Sequence, residues 1–169
     1  MRDETDLQAA MDTHGDMVYR LALCRLGNRA DAEDIYQDVF IRYFRDATRF
    51  RDEGHRKAWL IRTTLNRCRD LRRSAWFRHI APLEDAAGQA VPTQEDYADL
   101  WQTVAALPAD LGTVVCLHYA EGHTTDEIAA LLGCRPATVR TRLHRARKKL
   151  KLDLEGYHHA AHGRAEQIK

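Results

Sequence analysis

Apolar residues recur along this chain in steps of three and four, and runs that alternate between apolar and polar positions are nearly absent. The first stripe comprises Leu7, Ala10, Met11, Val18, Leu21 and Ala22. It predicts an amphipathic helix that ends near Gly27, after which Asn28 is suited to cap a second helix. The pattern therefore predicts a chain that is all-α.

The second predicted helix has two distinct faces. Its apolar stripe consists of Ala32, Ile35, Tyr36, Val39, Phe40 and Tyr43. Its other face presents Asp34, Gln37, Asp38 and Arg42. An apolar stripe this broad indicates a helix that packs against a core along one side.

A third helix is predicted for residues 56–74, which hold seven Lys or Arg against one Asp. Its expected core residues are Trp59, Leu60, Leu65, Cys68 and Leu71. The residues that remain for a partner are Asn66, Arg69, Arg72 and Arg73. Amide and aromatic side chains among cations suit a single nucleic-acid strand, whose bases stack and whose phosphates pair with Arg.

Two short helices joined by a tight turn are predicted for residues 124–151. Thr124 and Glu127 have the spacing of a capping box, and Gly133 is suited to end the first helix. Pro136 fits the first turn of the second helix, whose apolar stripe is Val139, Leu143, Ala146 and Leu150. Its opposite face holds Thr141, Arg145 and Lys148, flanked by Arg140 and His144.

This arrangement predicts a helix-turn-helix that reads duplex DNA with its second helix in the major groove. The alternative is a solvated surface helix with basic residues outside. Residues 135–151 hold eight Lys or Arg and no acid, and such a concentration repels itself unless a polyanion relieves it. The charge therefore favours DNA.

Residues between these regions separate the chain into two small domains. Pro82, Gly88 and Pro92 interrupt a stretch with little apolar periodicity, which predicts a flexible linker at residues 79–94. A short helix is predicted for residues 95–106, and Pro108 breaks the pattern after it. The predicted organisation is a first domain at 1–78, a second at 95–155 and a disordered polar tail at 156–169.

Charge follows the same division, which the net charge of +1 conceals. Residues 1–78 hold sixteen Lys or Arg and thirteen acids, residues 79–134 hold none and nine, and residues 135–169 hold ten and three. We interpret this as two local DNA-facing surfaces separated by an acidic stretch that avoids phosphate.

Other chemistry finds little support in the sequence. Cys24, Cys68, Cys116 and Cys134 are scattered without metal-site spacing, so four reduced thiols are expected and neither a metal nor a cofactor. No nucleophile with its base, phosphate-binding loop or carboxylate pair is recognisable, so no catalytic residue is expected. The acidic N-terminus and the lack of a long apolar run predict a cytoplasmic protein without membrane insertion.

Three runs in this order resemble bacterial sigma factors of the extracytoplasmic-function (ECF) group, which keep the second and fourth regions of the sigma-70 class. They are ADAEDIYQDVF at residues 30–40, AWLIRTTLNRCRDLRR at 58–73 and EIAALLGCRPATVRTRLHRAR at 127–147. The resemblance extends over residues 7–152. It implies core RNA polymerase (its β′ and β subunits), promoter DNA and an anti-sigma factor as partners.

The resemblance also implies roles for individual residues. Binding to polymerase falls to Asp34, Gln37, Asp38 and Arg42. Capture of a flipped base of the minus-ten element falls to a loop at residues 50–55 and the adjoining helix, with Phe50, Arg51, His55, Asn66, Arg69, Asp70 and Arg73. Reading of the minus-thirty-five element falls to Arg135, Ala137, Arg140, Thr141, His144, Arg145 and Lys148.

Some positions depart from the family pattern. Arg135 stands where a Ser or Thr helix cap is usual, and Ala137 where Gly is common. Thr63, Thr64 and Leu65 replace the aliphatic, small and basic residues that more often precede Asn66. These departures concern promoter sequence rather than family.

Two other classes of function compete with a sigma factor. A free-standing repressor or activator would use the first three helices to dimerise and would bind a palindromic operator. A metal-dependent enzyme would use the scattered Cys and His and would retain stoichiometric metal. The sequence also leaves open whether the two domains pack together or splay apart.

Overall fold

The computed structural model describes the backbone of residues 1–78 and 95–165 and the side chains of residues 1–75 and 100–151. This part of the chain forms seven α-helices and one π-helical turn. The helices are α1 Glu4–Leu26, α2 Arg29–Arg45, α3 Glu53–Arg78, α4 Glu95–Ala106, α5 Ala109–Val115, α6 Thr125–Leu132 and α7 Pro136–Ala165, with the π turn at Cys116–Ala120. The predicted linker at 79–94 lies outside the described residues.

Helices α1, α2 and α3 pack into the first domain around the predicted stripes. Val18 and Leu21 of α1 and Val39 and Tyr43 of α2 are fully buried. The predicted cap is present, since the Asn28 side chain accepts a hydrogen bond from the Asp31 backbone N–H at 2.8 Å. The all-α prediction is confirmed.

Helix α3 begins earlier than predicted, at Glu53 rather than near residue 56. The Asp52 side chain accepts the backbone N–H of His55 at 2.7 Å and so caps the helix. The expected loop at residues 50–55 is therefore wrong in its second half, because Gly54 and His55 lie in the first helical turn. The segment between α2 and α3 is residues 46–52.

The core side of α3 differs in detail from the sequence prediction. Leu60, Leu65 and Cys68 are buried as expected, whereas Trp59 and Leu71 are only partly buried. Ile61 and Thr64, which were not predicted to be core, are fully buried. The Thr64 hydroxyl donates to the Leu60 carbonyl at 2.7 Å, so a polar side chain is satisfied within its own helix.

The second domain holds α4 to α7. Helix α4 has the predicted bounds, and Pro108 stands at the N-cap of α5. Its core includes Val114, Leu117, Ile128, Val139 and Leu143. Helix α5 and the π turn, which the sequence did not predict, thus supply part of the surface on which the helix-turn-helix packs.

Helix α7 extends to Ala165, so the disordered tail predicted from residue 156 is wrong for this part of the chain. Within residues 152–165 only Gly156 and Gly163 have low helix propensity, and no Pro is present to stop the helix. The tail's His158, His159 and His162 therefore lie on a helical backbone.

The two domains share one continuous hydrophobic core, with α1 contacting both α4 and α5. Gly112 permits the close approach, because a Cβ at this position would lie 3.0 Å from the Val104 carbonyl oxygen and 3.4 Å from that of Cys24. Ion pairs border the contact, with the Arg25 guanidinium 3.2 Å from Asp110. In the described structure the domains are packed, which was one of the two arrangements left open by the sequence.

Candidate nucleic-acid interfaces

The helix-turn-helix is built from the local signals read in the sequence. Thr124 and Glu127 form both bonds of the capping box, at 3.2 Å from the Glu127 N–H to the Thr124 hydroxyl and at 2.9 Å in return. The backbone N–H of Thr124 holds the pKa of the Glu127 carboxyl below its ordinary value. Gly133 ends α6 in the left-handed conformation, with φ at 66°. The turn to α7 is therefore fixed by short-range bonds.

Helix α7 presents a cationic outer face. Its predicted DNA residues are all exposed: Arg135, Ala137, Arg140, Thr141, His144, Arg145 and Lys148. Within the described part of the chain, the cations of this set make no ion pair. Thr141 donates its hydroxyl to the Ala137 carbonyl at 3.0 Å, which leaves the hydroxyl oxygen free to accept.

Two other arginines of α7 point elsewhere. Arg142 lies 3.9 Å from Asp110 of α5, and the Arg147 Nε donates to the Tyr119 hydroxyl at 2.5 Å. Both therefore support the packing of α7 on its own domain. The charge available to DNA is smaller than the sequence count of eight suggests, but it is confined to one face.

Aromatic rings gather where the 46–52 loop meets α3. The rings of Tyr43 and Phe50 are nearly parallel, with centroids 6.0 Å apart, and Trp59 meets both edge-on. Burial and the hydrogen bond from its hydroxyl to Asp6 raise the pKa of Tyr43 to about 12. Phe50 is half-buried in this cluster, so it anchors the loop instead of standing free in solvent.

The predicted minus-ten residues fall into two groups, one around the start of α3 and one further along it. Phe50, Arg51 and His55 lie at its start, and the Arg51 N–H donates to the His55 Nδ1 at 3.3 Å. Asn66 lies eleven residues beyond His55, about 16 Å along α3 at 1.5 Å per residue. The structure therefore brings these residues to one surface but not into one pocket.

The second group is partly engaged within α3. The Arg69 guanidinium donates to the Asn66 side-chain oxygen at 3.2 Å, and both side chains are exposed, as is that of Arg73. Asp70 accepts a hydrogen bond from Arg67 at 3.2 Å. An acid among cations would repel phosphate, so this pairing reduces the effect of Asp70 on the cationic surface of α3.

The outer face of α2 has the predicted polar residues and one that the sequence analysis missed. Asp34, Gln37 and Arg42 are exposed, whereas Asp38 is bound by Arg42 at 3.1 Å and by Arg67 of α3. Ile41 stands beside them with 48% of its surface exposed. The sequence signal for Ile41 was that an apolar residue lies outside the buried stripe of α2. A polar rim around an apolar centre is typical of a protein interface.

A helix-turn-helix with a cationic face, joined to a helical domain with aromatic and cationic surfaces, defines a two-domain DNA-binding protein. Residues 10–78 match the family model for sigma-70 region 2, and residues 97–150 match that for sigma-70 region 4. The chain belongs to the sigma-70 family of RNA polymerase sigma factors, in the ECF group. Sigma factors are non-catalytic polymerase subunits that act in transcription initiation, so the chain is not an enzyme.

Curated relatives carry the same designation. The chain is 37% identical over 168 residues to the ECF RNA polymerase sigma factor SigE of Mycolicibacterium smegmatis, which covers 88% of this chain and 64% of SigE. It is 32% identical over 157 residues to the ECF sigma factor SigL of Mycobacterium tuberculosis, covering 88% of this chain and 89% of SigL. The chain thus spans less than two thirds of SigE and most of SigL.

Solved structures share the fold. The sigma factor RpoE of Bartonella quintana, in complex with the anti-sigma factor NepR, superposes with a TM-score of 0.68 at 24% identity, covering 89% of this chain and 97% of RpoE. CnrH in complex with the cytosolic domain of CnrY gives 0.58 at 25% identity, covering 91% and 90%. Among the described residues, no helix is long and apolar enough to cross a membrane.

Proposed function

We propose that this protein binds core RNA polymerase in the cytoplasm, directs it to a two-part promoter and helps to open the DNA there. The observation that supports this most strongly is the presence of two different DNA-facing surfaces on one chain. The outer face of α7 is suited to duplex DNA, and the loop and outer face of α3 are suited to a single strand.

The minus-thirty-five element is the proposed ligand of α7. Arg140, Thr141, His144 and Arg145 lie in the half of the helix that meets base edges in the major groove. Arg135, Ala137 and Lys148 border the same face and would contact the backbone. A bidentate contact from Arg to guanine discriminates by about 1–3 kcal/mol, so one or two such contacts would specify the element.

The minus-ten element is the proposed ligand of the 46–52 loop and α3. Extruding a base costs a few kcal/mol, and stacking on an aromatic side chain together with edge hydrogen bonds returns energy of that order. Phe50 anchors the loop, Arg51 and His55 border it, and Asn66, Arg69 and Arg73 continue the surface along α3. Asp70 shares this face as a structural partner of Arg67.

The outer face of α2 is the proposed docking surface for polymerase. Asp34 and Gln37 offer free polar groups, Asp38 and Arg42 form the adjoining ion pair, and Ile41 supplies the apolar centre. An anti-sigma factor is the further partner that we propose, by analogy with the RpoE complex.

The docking surface leads to a direct test. Asp34→Ala with Gln37→Ala should abolish co-elution with core polymerase while leaving the circular dichroism spectrum unchanged. The matched control is Asp12→Ala with Gln8→Ala, which removes an equally exposed carboxylate and amide from α1 and should co-elute normally. Unchanged affinity of the α2 variant for core polymerase would remove these residues from docking.

The same preparation tests the function as a whole. Genome-wide run-off transcription with core polymerase should reveal start sites that share a two-part upstream motif. No association with polymerase, together with binding of a dimer to a palindrome, would instead establish a repressor or activator.

A further inference from the structure

Arg2 precedes α1 in the chain, and its side chain binds both the end of α2 and the 46–52 loop. Its backbone N–H donates to the Phe44 carbonyl at 2.9 Å, its Nε donates to the Tyr43 carbonyl at 3.0 Å, and its Nη2 donates to the Thr48 carbonyl at 2.5 Å. The first two acceptors are among the last carbonyls of α2, of which that of Tyr43 also accepts the backbone N–H of Asp46 at 3.3 Å. One side chain thus ties the end of α2 to the middle of the loop.

The same guanidinium also covers the aromatic anchor of the loop. Its central carbon lies 4.4 Å from the Tyr43 ring centroid and 4.6 Å from that of Phe50. Arg56 of α3 lies 5.8 Å from the Phe50 ring. Phe50 is therefore flanked by two cations, a contact that fixes both its position and its tilt.

Asp6 links these two arginines. Its carboxylate lies 3.5 Å from Arg2 and 3.3 Å from Arg56, and it accepts the Tyr43 hydroxyl at 2.8 Å. Only 14% of the Arg2 side chain is exposed, so its charge is directed at these partners and not at phosphate. The cluster thus fixes the N-terminal part of the loop. Asp52, which caps α3, fixes its C-terminal end.

We propose that Arg2 is a positioning residue for promoter opening, which sets the 46–52 loop in the conformation that captures the extruded minus-ten base. This inference rests on the proposed function. Arg2 acts through the loop and makes no contact with DNA, so its removal should weaken the part of binding that depends on the base and leave backbone binding intact.

The experiment uses holoenzyme and a promoter mapped by run-off transcription. The probes are single strands of its minus-ten element, either intact or with one abasic nucleotide placed at each position in turn. The position whose base matters most to the wild-type protein identifies the captured base. We expect a ratio of affinities, intact over abasic, of about tenfold or more there, as stacking of one base allows.

Arg2→Ala should bring this ratio to within about twofold of unity while its affinity for the abasic strand stays within twofold of wild type. Arg2→Lys keeps the charge but replaces the planar fork of the guanidinium with one ammonium nitrogen, which cannot reach both carbonyls in the same way, so it should restore little of the ratio. Arg29→Ala, a substitution of the same type at the opposite end of α2, should keep the wild-type ratio.

Three results bear on the two proposals separately. A wild-type ratio retained by Arg2→Ala overturns the inference, and so does an equal weakening on intact and abasic strands, which would mark a general structural or electrostatic role. A wild-type protein without any base-dependent position contradicts base capture itself. If Arg2→Ala does not assemble with polymerase, Arg2→Lys and Arg2→Gln decide the inference by the same ratio.

Discussion

Thr124 and Glu127 determine where the helix-turn-helix begins. Each side chain accepts the other residue's backbone N–H, so two donors at the start of α6 are satisfied at once. Gly133 ends the same helix after its eight residues. These residues stabilise a helix that is too short to be stable in isolation.

Thr124→Ala should therefore lower the free energy of unfolding by about 1 kcal/mol, within the range of 0.5–2 known for N-caps. Urea unfolding followed by circular dichroism at pH 7 would measure the loss. Thr125→Ala is the control, since it changes the same residue type one position along without removing a cap. Equal losses in both variants would contradict the capping role.

The contribution of the Glu127 carboxylate to the same capping box should depend on pH. The pKa of Glu127 is lowered in the folded protein, so its contribution is present above the ordinary value of 4.5 and is lost as the pH falls through the folded pKa. The difference between wild type and Glu127→Ala should accordingly shrink in unfolding experiments below pH 4.5, whereas Thr124→Ala keeps the backbone N–H that lowers this pKa.

At the scale of single residues, the sequence predicts those features that depend on residues close to one another in the chain. The caps at Asn28, Thr124 and Gly133 were correct because every participant lies within a few positions. The cap at Asp52 was missed, although its signal was equally local. The partners of Arg142 and Arg147 are Asp110 and Tyr119, which are distant in sequence, so these contacts were not accessible from periodicity.

Helix α7 shows how one element divides its charge between packing and binding. Arg145 is exposed on the face opposite the buried stripe, whereas Arg142, one turn earlier, faces Asp110. The two arginines lie on the same helix three residues apart, so they provide a matched pair for separating DNA contact from general charge.

Arg145→Ala should weaken binding to the minus-thirty-five duplex by about 1–3 kcal/mol if it contacts a base, and specificity should relax at one position. Arg142→Ala should change the affinity much less. Fluorescence anisotropy against a panel of single-base variants of the element would measure both. A uniform loss over all duplexes would instead make Arg145 a phosphate contact.

Element existence was predicted better than element extent. The stripes of α1, α2 and α7 and the bounds of α4 follow from periodicity, which a single sequence displays. Helix α5 has only seven residues and runs directly into the π turn, so too few repeats exist to reveal it. The C-terminal end of α7 was misjudged because its polar composition resembles a tail, although nothing in it breaks a helix.

The whole molecule joins two domains, each with a proposed DNA-binding surface, through a contact that the proposed function must break. The minus-ten and minus-thirty-five elements are nominally about 25 base pairs apart, which is about 85 Å at 3.4 Å per base pair. A compact chain of this length has a radius of gyration of about 15 Å. The packed arrangement therefore cannot occupy both elements, and α1 must separate from α4 and α5 on the promoter.

Glu121 is the residue best placed to hold the packed arrangement. Only 10% of its side chain is exposed, and it lies 2.9 Å from Lys57 and 3.3 Å from Arg20 of the first domain. Arg20 also stacks at 4.8 Å on Trp101 of α4. Glu121 is 64 positions from Lys57 and 101 positions from Arg20 in the sequence. Counting charges along the sequence therefore left the arrangement of the domains undecided.

The thiols of Cys24 and Cys116 report on this contact, because they meet across it and both are buried. The neighbouring Cys24 thiol, together with burial, raises the pKa of Cys116 well above its ordinary value, so its reactive thiolate is scarce while the domains are packed. Cys68 lies in the core of the first domain, where burial raises its pKa to about 12. It therefore serves as an internal control for unfolding.

Glu121→Ala removes the carboxylate that both cations share and leaves Arg20 and Lys57 partly buried without it. At about 1–2 kcal/mol for such a loss, the open population should rise by roughly tenfold. Alkylation of Cys24 and Cys116 by iodoacetamide, followed by mass spectrometry, should accelerate to the same extent, while Cys68 stays protected.

Asp126→Ala removes an exposed carboxylate from α6 and should change neither alkylation rate. Parallel acceleration at Cys68 would indicate global unfolding, and unchanged rates at Cys24 and Cys116 would mean that apolar packing around Gly112, and not Glu121, holds the domains together.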